Sequence, residues 1–336
     1  MTFAQLLQDE EFLNRMVFEI NKSSEGENYV IPNQMPNLYR YSGITEYLVN
    51  NIKKSELTVT AVSEFNDMFD SGICIFSNEE ELHNLIEKDL KELSELAIDI
   101  SSYRDRSKEF YLKEAELKRN TVNYLGAHMS CFSTTDSSIL MWAHYAKNNT
   151  GICVNYDTEG PNNIFRKWAF PVVYRKKPIN VSSLLYDKNE LYQYRTELAV
   201  MLSILCKCLT WSYEKEWRLI SPIFPDNDKK LRYNLSNVPK IKEIIFGYHF
   251  LRNCFGKNTD ESKKNIKQIV DYAKENNISL YVMLQDTGEF SVHKQKVDSD
   301  RLGCFIEREF DRKIKSNIPY TTIHRLFQRE VCGLMI

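Results

Sequence analysis

The sequence predicts an α+β fold, a mixed and mainly antiparallel sheet surrounded by helices. Three observations lead there. Short runs rich in branched and aromatic side chains recur along the whole chain. Helices of unequal length separate them, without the regular βαβ rhythm of a doubly wound sheet. A composition with 43% hydrophobic and 27% charged residues can bury a core and stay solvated. The 336 residues fit one large elaborated domain. The expected division is a core over 36–295, an N-terminal helical extension over 1–35 and a C-terminal helical extension over 296–336.

An amphipathic helix opens the chain and runs into a polar segment from Asn21 to Asn28. Leu38-Tyr39-Arg40-Tyr41 reads as a short strand, 43–54 as a helix and the alternating ELTVTAV at 56–62 as a strand. Residues 78–120 form a long charged helical insertion. Leu82, Leu85, Ile86, Leu90, Leu93, Ala97 and Ile100 keep its helical spacing, and a break near Ser101-Ser102 would make it two helices. Strands are expected at 127–133 and 151–156, flanking a helix at 137–147 with Asp136 as its N-cap. A strand at 169–175, a long helix over 184–208 and strands at 216–221 and 240–247 follow. A helix at 260–275, strands at 279–285 and 289–294 and a charged helical tail complete the series.

Forty-four basic against 46 acidic residues argues against a dedicated nucleic-acid packer, which needs a basic surface. The acidic start, MTFAQLLQDEEF, shows no signal-peptide pattern, and no apolar run approaches membrane-spanning length. The expected location is cytoplasmic, with no membrane partner. Eight cysteines, Cys254 among them, sit mostly in apolar surroundings and read as small core residues. Only Cys206 and Cys208 are close together, and a lone C-x-C is too few ligands for zinc, so no metal is expected. G-x-G-x-x-G, P-loop, H-E-x-x-H and G-x-S-x-G patterns are all missing.

Three clusters carry chemistry. Around Tyr39-Arg40-Tyr41, the arginine either grips a phosphate between two rings or is a surface charge between half-buried tyrosines. Downstream, Asn66, Asp67 and Asp70 read as a tight turn rather than a calcium loop. From Ser130 to Tyr145, Ser133 ends a strand. Trp142, His144 and Tyr145 form either a binding wall or core packing. In Glu214-Lys215-Glu216-Trp217-Arg218, a strand would turn Glu214, Glu216 and Arg218 the same way. That ladder is either an acid with a raised pKa or an ion-pair network of Glu216 with Arg218 and Lys215.

Several segments together carry a resemblance: Leu38-Tyr39-Arg40-Tyr41, Phe65-Asn66-Asp67-x-Phe69-Asp70, Cys131-Phe132-Ser133 and Met141-Trp142-x-His144-Tyr145-Ala146. Gly151-Ile152-Cys153, Val173-Tyr174 and Lys207-x3-Trp211-x-Tyr213-Glu214-x-Glu216-Trp217-Arg218 complete the set. In that order, across roughly residues 36–290, they resemble the widespread prokaryotic domain of unknown function numbered 2971. Met68 stands where that family has proline, and Lys147-Asn148-Asn149 where it has a histidine or polar residue. Family members resemble accessory genes near mobile and defence islands.

A second resemblance is to ADP-ribosyltransferases that modify DNA. It implies a split sheet, NAD as cofactor and an effector of a defence or toxin system. Arg40, Ser133 and Glu216 match that family's three positions in order. The resemblance implies Glu216 as the catalytic carboxylate, with Glu214 secondary and orienting the acceptor. It implies Arg40 on the diphosphate and Tyr39, Tyr41, Ser133, Trp142, His144, Tyr145 and Arg218 as further cofactor contacts. The acceptor would be a nucleic acid or a protein. A non-catalytic sensor docking a partner or a second copy through 78–120 is the alternative, and a metal-dependent nuclease using Asp67, Asp70, Glu214 and Glu216 a further one.

Overall fold

The computed structural model describes residues 3–22, 28–67, 69–71, 73–96, 98–124, 128–160, 162–186, 194–221, 232–236, 238–252, 259–316 and 319–334. Met68 and Cys254 lie outside the described residues. The fold is mixed α/β, a mostly antiparallel open sheet with helices around it.

Ten of the described strands form one sheet, while β3 (Ile73–Cys74) and β8 (Ile179–Asn180) form a separate parallel pair. Its main path uses β1 (Leu38–Ser42), β2 (Leu57–Ala61), β4 (His128–Ser133), β5 (Ile152–Tyr156), β11 (Arg232–Leu235), β12 (Ile241–Phe246), β13 (Ser279–Gln285) and β14 (Val292–Val297). Their spatial order is β11-β2-β4-β1-β5-β12-β13-β14. Two more strands, β6 (Ala169–Pro171) and β10 (Glu216–Ile220), extend the sheet from the other edge of β4. The β12–β13 pair is parallel, joined through the helix Thr259–Glu275. Its amphipathic face puts Ile266, Ile269, Val270 and Ala273 into the core.

The centre of the sheet is irregular. One edge of β4 pairs with β10 from Glu216↔Ser133 to Ile220↔Met129. The opposite edge is shared. β2 takes its start, at Thr60↔Met129 and Ala61↔His128, and β1 takes its end, at Tyr39↔Ser133. A wedge opens between them beside Ser130, Cys131 and Phe132. One face of the sheet is backed by a continuous core that includes Leu38, Leu57, Val59, Phe132, Val154 and Trp217. On the other face two separate cores form. Met129, Phe170 and Ile220 pack with the helices Glu10–Lys22 and Arg195–Ile204, whereas Tyr39, Tyr41, Trp142, Cys153 and Ile245 pack around the helix Ile139–Tyr145.

Several expectations hold and some are corrected. The helix expected at 43–54 spans Glu46–Lys54, with the Thr45 hydroxyl capping the Leu48 amide at 3.2 Å. The charged insertion is two helices, Glu79–Glu95 and Ser101–Tyr124, so the break falls just before the expected Ser101-Ser102. The expected cap Asp136 gives way to Ser138, whose hydroxyl accepts from the Met141 amide. The Asp136 carboxylate instead pairs with Lys294 at 2.9 Å. The 169–175 segment is two strands, because β7 (Val173–Arg175) leaves the main sheet to pair with β9 (Cys206–Cys208). The helix expected over 184–208 ends at Ile204 and hands over to that strand. The strand expected at 289–294 lies at 292–297. Among the described residues no helix is long and apolar enough to cross a membrane.

The helix Tyr320–Glu330 seats Ile323 and Phe327 in the core, and its His324 ring lies 6.2 Å from that of His249. Burial, then the Arg252 guanidinium and His324, lowers His249 to about 4. The folded value is below the unfolded one, near 6.5. The unfolded chain therefore binds more protons in between, and stability is lost as pH falls from about 6.5 toward 4. Urea melts of His249→Phe should show a flatter pH dependence across that window. An unchanged slope would remove His249 from the acid response.

Candidate functional site

A cleft of about 430 Å³ fills the wedge and opens over β4. That is within the usual range of small-molecule sites, roughly 300–1,000 Å³. Both halves of the sheet wall it. Tyr39, Arg40 and Tyr41 come from β1, Thr60 from β2, Arg232 from β11, Met129 to Ser133 from β4, and His144 and Tyr145 from the helix Ile139–Tyr145. From Met129 to Ser133 the β4 wall is about 13 Å long at the usual strand rise.

A charge cluster closes one end. The chain after Cys208 turns through a 3-10 helix, Leu209–Glu214. Exposed Lys215 then takes a left-handed conformation, φ 46°, and launches β10. Glu214 is therefore not on the strand, contrary to the expected ladder. The turn nevertheless brings it beside Glu216. Lys207 donates to Glu214 at 2.6 Å and to Glu216 at 3.0 Å. Arg218, fully buried, clasps Asp70 with two bonds of 2.7 Å and Glu216 with bonds of 2.8 and 3.2 Å. Its remaining reach goes to the Ile204 carbonyl at 2.6 Å. Such bidentate contacts need a planar guanidinium at this position.

The cluster holds three carboxylates, Asp70, Glu214 and Glu216, against two cations, Lys207 and Arg218, so one negative charge is in surplus. Glu216 is not the surplus group. Burial opposes its ionisation, but Arg218 and then Lys207 outweigh burial and hold its carboxyl at about 2. Glu214 is the group left over. Burial and the neighbouring Glu216 push its pKa up, against the pull of Lys207. The Tyr145 hydroxyl donates to its other oxygen at 2.5 Å. Burial and that carboxylate keep the tyrosine protonated, raising its pKa.

The opposite charge lies across the wedge. Arg40 donates to the Thr58 carbonyl at 3.3 Å and also meets the Tyr156 hydroxyl. Both partners are neutral, and among the described residues no carboxylate pairs with this guanidinium. Strand alternation and the register turn Arg40 to the sheet face opposite Tyr39, Tyr41, Ser133 and Glu216, so it meets them only through the gap between the strands and does not frame one ligand plane with the two tyrosines.

Arg40, Ser133, Glu214 and Glu216, far apart in sequence, thus line one cleft with Tyr39, Tyr41, His144 and Tyr145. The Ser133 hydroxyl is committed to the Glu214 carbonyl at 2.6 Å, and the Tyr41 hydroxyl to the Thr135 carbonyl at 2.8 Å. His144 is exposed at the mouth, its Nδ1 3.0 Å from the Tyr213 hydroxyl. Trp142 and Arg218, expected as ligand contacts, instead lie beneath the wall. The buried Trp142 indole donates to the Asp136 carbonyl at 2.7 Å, and Arg218 is enclosed by its carboxylates. Asp67 caps a turn through the Phe69 amide at 3.0 Å, as expected, while Asp70 joins the cluster.

From sequence, Lys207 enters only within the first resemblance and Ser130 only as the start of the second cluster, neither with a role in the site. The signal for Lys207 was its C-K-C setting, a short alternation at the end of an apolar helix. Ser130 gives no sequence signal beyond its place on the strand.

A family model described as protein of unknown function (DUF2971) matches residues 141–219. That segment supports the first resemblance. It carries Tyr145, Lys207, Glu214, Glu216 and Arg218, most of the charge cluster, while Arg40, Asp70 and Ser133 lie outside it. No curated protein and no solved structure matches the chain.

Proposed function

We infer that the chain is an ADP-ribosyltransferase-like effector that takes NAD in the wedge. The observation that carries this is the cleft's polarity: a guanidinium, Arg40, with no carboxylate partner among the described residues on one side and a surplus carboxylate, Glu214, on the other. A ligand with anionic phosphates and a centre that turns positive matches such a cleft from both ends. NAD supplies both, with a glycosidic bond whose cleavage releases neutral nicotinamide with the bonding pair. Arg40 would hold the phosphates. Tyr39 and Tyr145 give ring surface along the wall. Glu214 would face the positive ribosyl carbon and take the proton that the acceptor hydroxyl or amine loses as its new bond to that carbon forms. Glu216 would keep Arg218 and Lys207 in place, so the resemblance's order of the two carboxylates is reversed in this reading.

The nuclease reading finds less support. The positive charge that a divalent ion would bring to Asp70, Glu214 and Glu216 is already supplied by Lys207 and Arg218. A partner-docking role has one observation in its favour, the exposed Phe110, Leu112 and Leu117 on the helix Ser101–Tyr124. The deciding experiment follows nicotinamide release from NAD with nucleic-acid and protein acceptors. A protein that neither binds nor consumes NAD would end the transferase reading.

The same reading fixes a pH dependence. Glu214 must be ionised to accept a proton, so turnover should rise with pH through a carboxyl pKa above the ordinary glutamate range. Lys207→Met removes the charge that restrains this pKa and should move the acidic limb further up. A limb that stays in place would mean another group titrates.

A further inference from the structure

We propose that the floor of the wedge is a phosphate subsite in which the Ser130 hydroxyl and the Cys131 amide act beside Arg40. Ser130 is 3% exposed and lines the cleft, yet among the described residues its hydroxyl has no hydrogen-bond partner. A buried hydroxyl left without a partner costs roughly 1–3 kcal/mol, and such groups in native proteins usually have a reason. Its placement supplies one. In an antiparallel strand, successive residues turn their N–H and C=O to opposite edges. The His128 carbonyl and the Thr134 amide bond toward the β10 side, while Met129 and Ser133 pair with β2 and β1. Cys131 lies between those two pairs, so its N–H points into the wedge where neither strand reaches it.

The sheet register puts Arg40 at the same level. Continuing the β2–β4 register from Thr60↔Met129 sets Thr58 opposite Cys131, and Arg40 reaches the Thr58 carbonyl from across the gap. Ser130 and Arg40 also share a face of the sheet, the one that carries Phe132 and Leu38. An uncompensated guanidinium, a hydroxyl and a peptide N–H converge as donors. That set suits phosphoryl oxygens, not a cation or an apolar group. The assignment rests on the nucleotide reading above for the identity of the ligand, but it stands or falls on binding alone.

The experiment titrates the full-length protein calorimetrically with ADP, inorganic pyrophosphate and adenosine. ADP and pyrophosphate should bind and adenosine should not at the same concentrations. Ser130→Ala should weaken ADP roughly tenfold, the loss of one hydrogen bond to a charged group. The same variant should melt at or above the wild-type temperature, because the unpartnered hydroxyl costs stability in the free protein. Arg40→Lys, which keeps the charge but loses the planar fork, should also weaken ADP and leave its binding salt-sensitive. Equal ADP affinity in wild type and Ser130→Ala overturns the subsite, as does adenosine binding as tightly as ADP, or no binding of either phosphate compound. The two readings fail separately. ADP binding that depends on Ser130 without NAD turnover keeps the subsite and removes the transferase. NAD turnover by a protein whose ADP affinity is unchanged in Ser130→Ala does the reverse.

Discussion

Glu216→Gln is expected to destabilise the fold by about 3 kcal/mol, because it leaves Arg218 buried against Asp70 alone and strips Lys207 of a partner. The pH dependence of wild type should give a similar figure independently. The folded carboxyl sits at about 2, below its value in the unfolded chain, near 4.3. A depressed carboxyl stabilises the fold above the unfolded pKa, and that contribution is lost as pH falls toward 2. The gap between wild type and Glu216→Gln in urea melts should therefore be largest at neutral pH and close on acidification through this window. Arg218→Met should cost at least as much, since it leaves Asp70, Glu214 and Glu216 with Lys207 as their one cation in the cluster. A Glu216→Gln protein that melts at or above the wild-type temperature would move Glu216 from the supporting network to the ligand.

Glu214→Gln should behave in the opposite way. It removes the surplus negative charge and leaves Asp70 and Glu216 balanced by Lys207 and Arg218. Its melting temperature should change little or rise. Turnover of NAD should fall about a hundredfold, the usual consequence of losing a strong electrostatic or proton-accepting group. A variant that retains near-normal turnover would rule out Glu214 as the group facing the reacting carbon.

Local chemistry made much of this legible in the sequence. Thr45 caps its helix, the charged insertion breaks just before the expected Ser101-Ser102, and Glu216 and Arg218 sit two apart on an apolar strand that buries both. The misses share a cause. Lys207 follows the apolar run Ala199 to Leu205, whose helical spacing hid the change to a strand at Cys206. Asp136 looked like a cap because its true partner, Lys294, arrives from the other end of the sheet. Lys215 looked like the cation for Glu216, but its left-handed backbone leaves it in solvent and Lys207 takes the place. The wedge could not be read at all, since it arises only when strands distant in sequence compete for one edge of β4.

That shared edge has a mechanical consequence. The strands flanking the wedge share one core through Leu38, Leu57 and Val59, but on the other face Tyr39 and Tyr41 of β1 enter a core that holds no residue of β2, and the Arg40–Thr58 contact is a staple across the seam. A seam of this kind is where a protein breathes before it melts, so amides beside it should exchange with solvent by local opening rather than by global unfolding. Anything held in the gap would bind both flanks at once and slow that exchange in each. Occupancy would then be recorded far from the ligand, as protection spreading outward along β2 and β1 together.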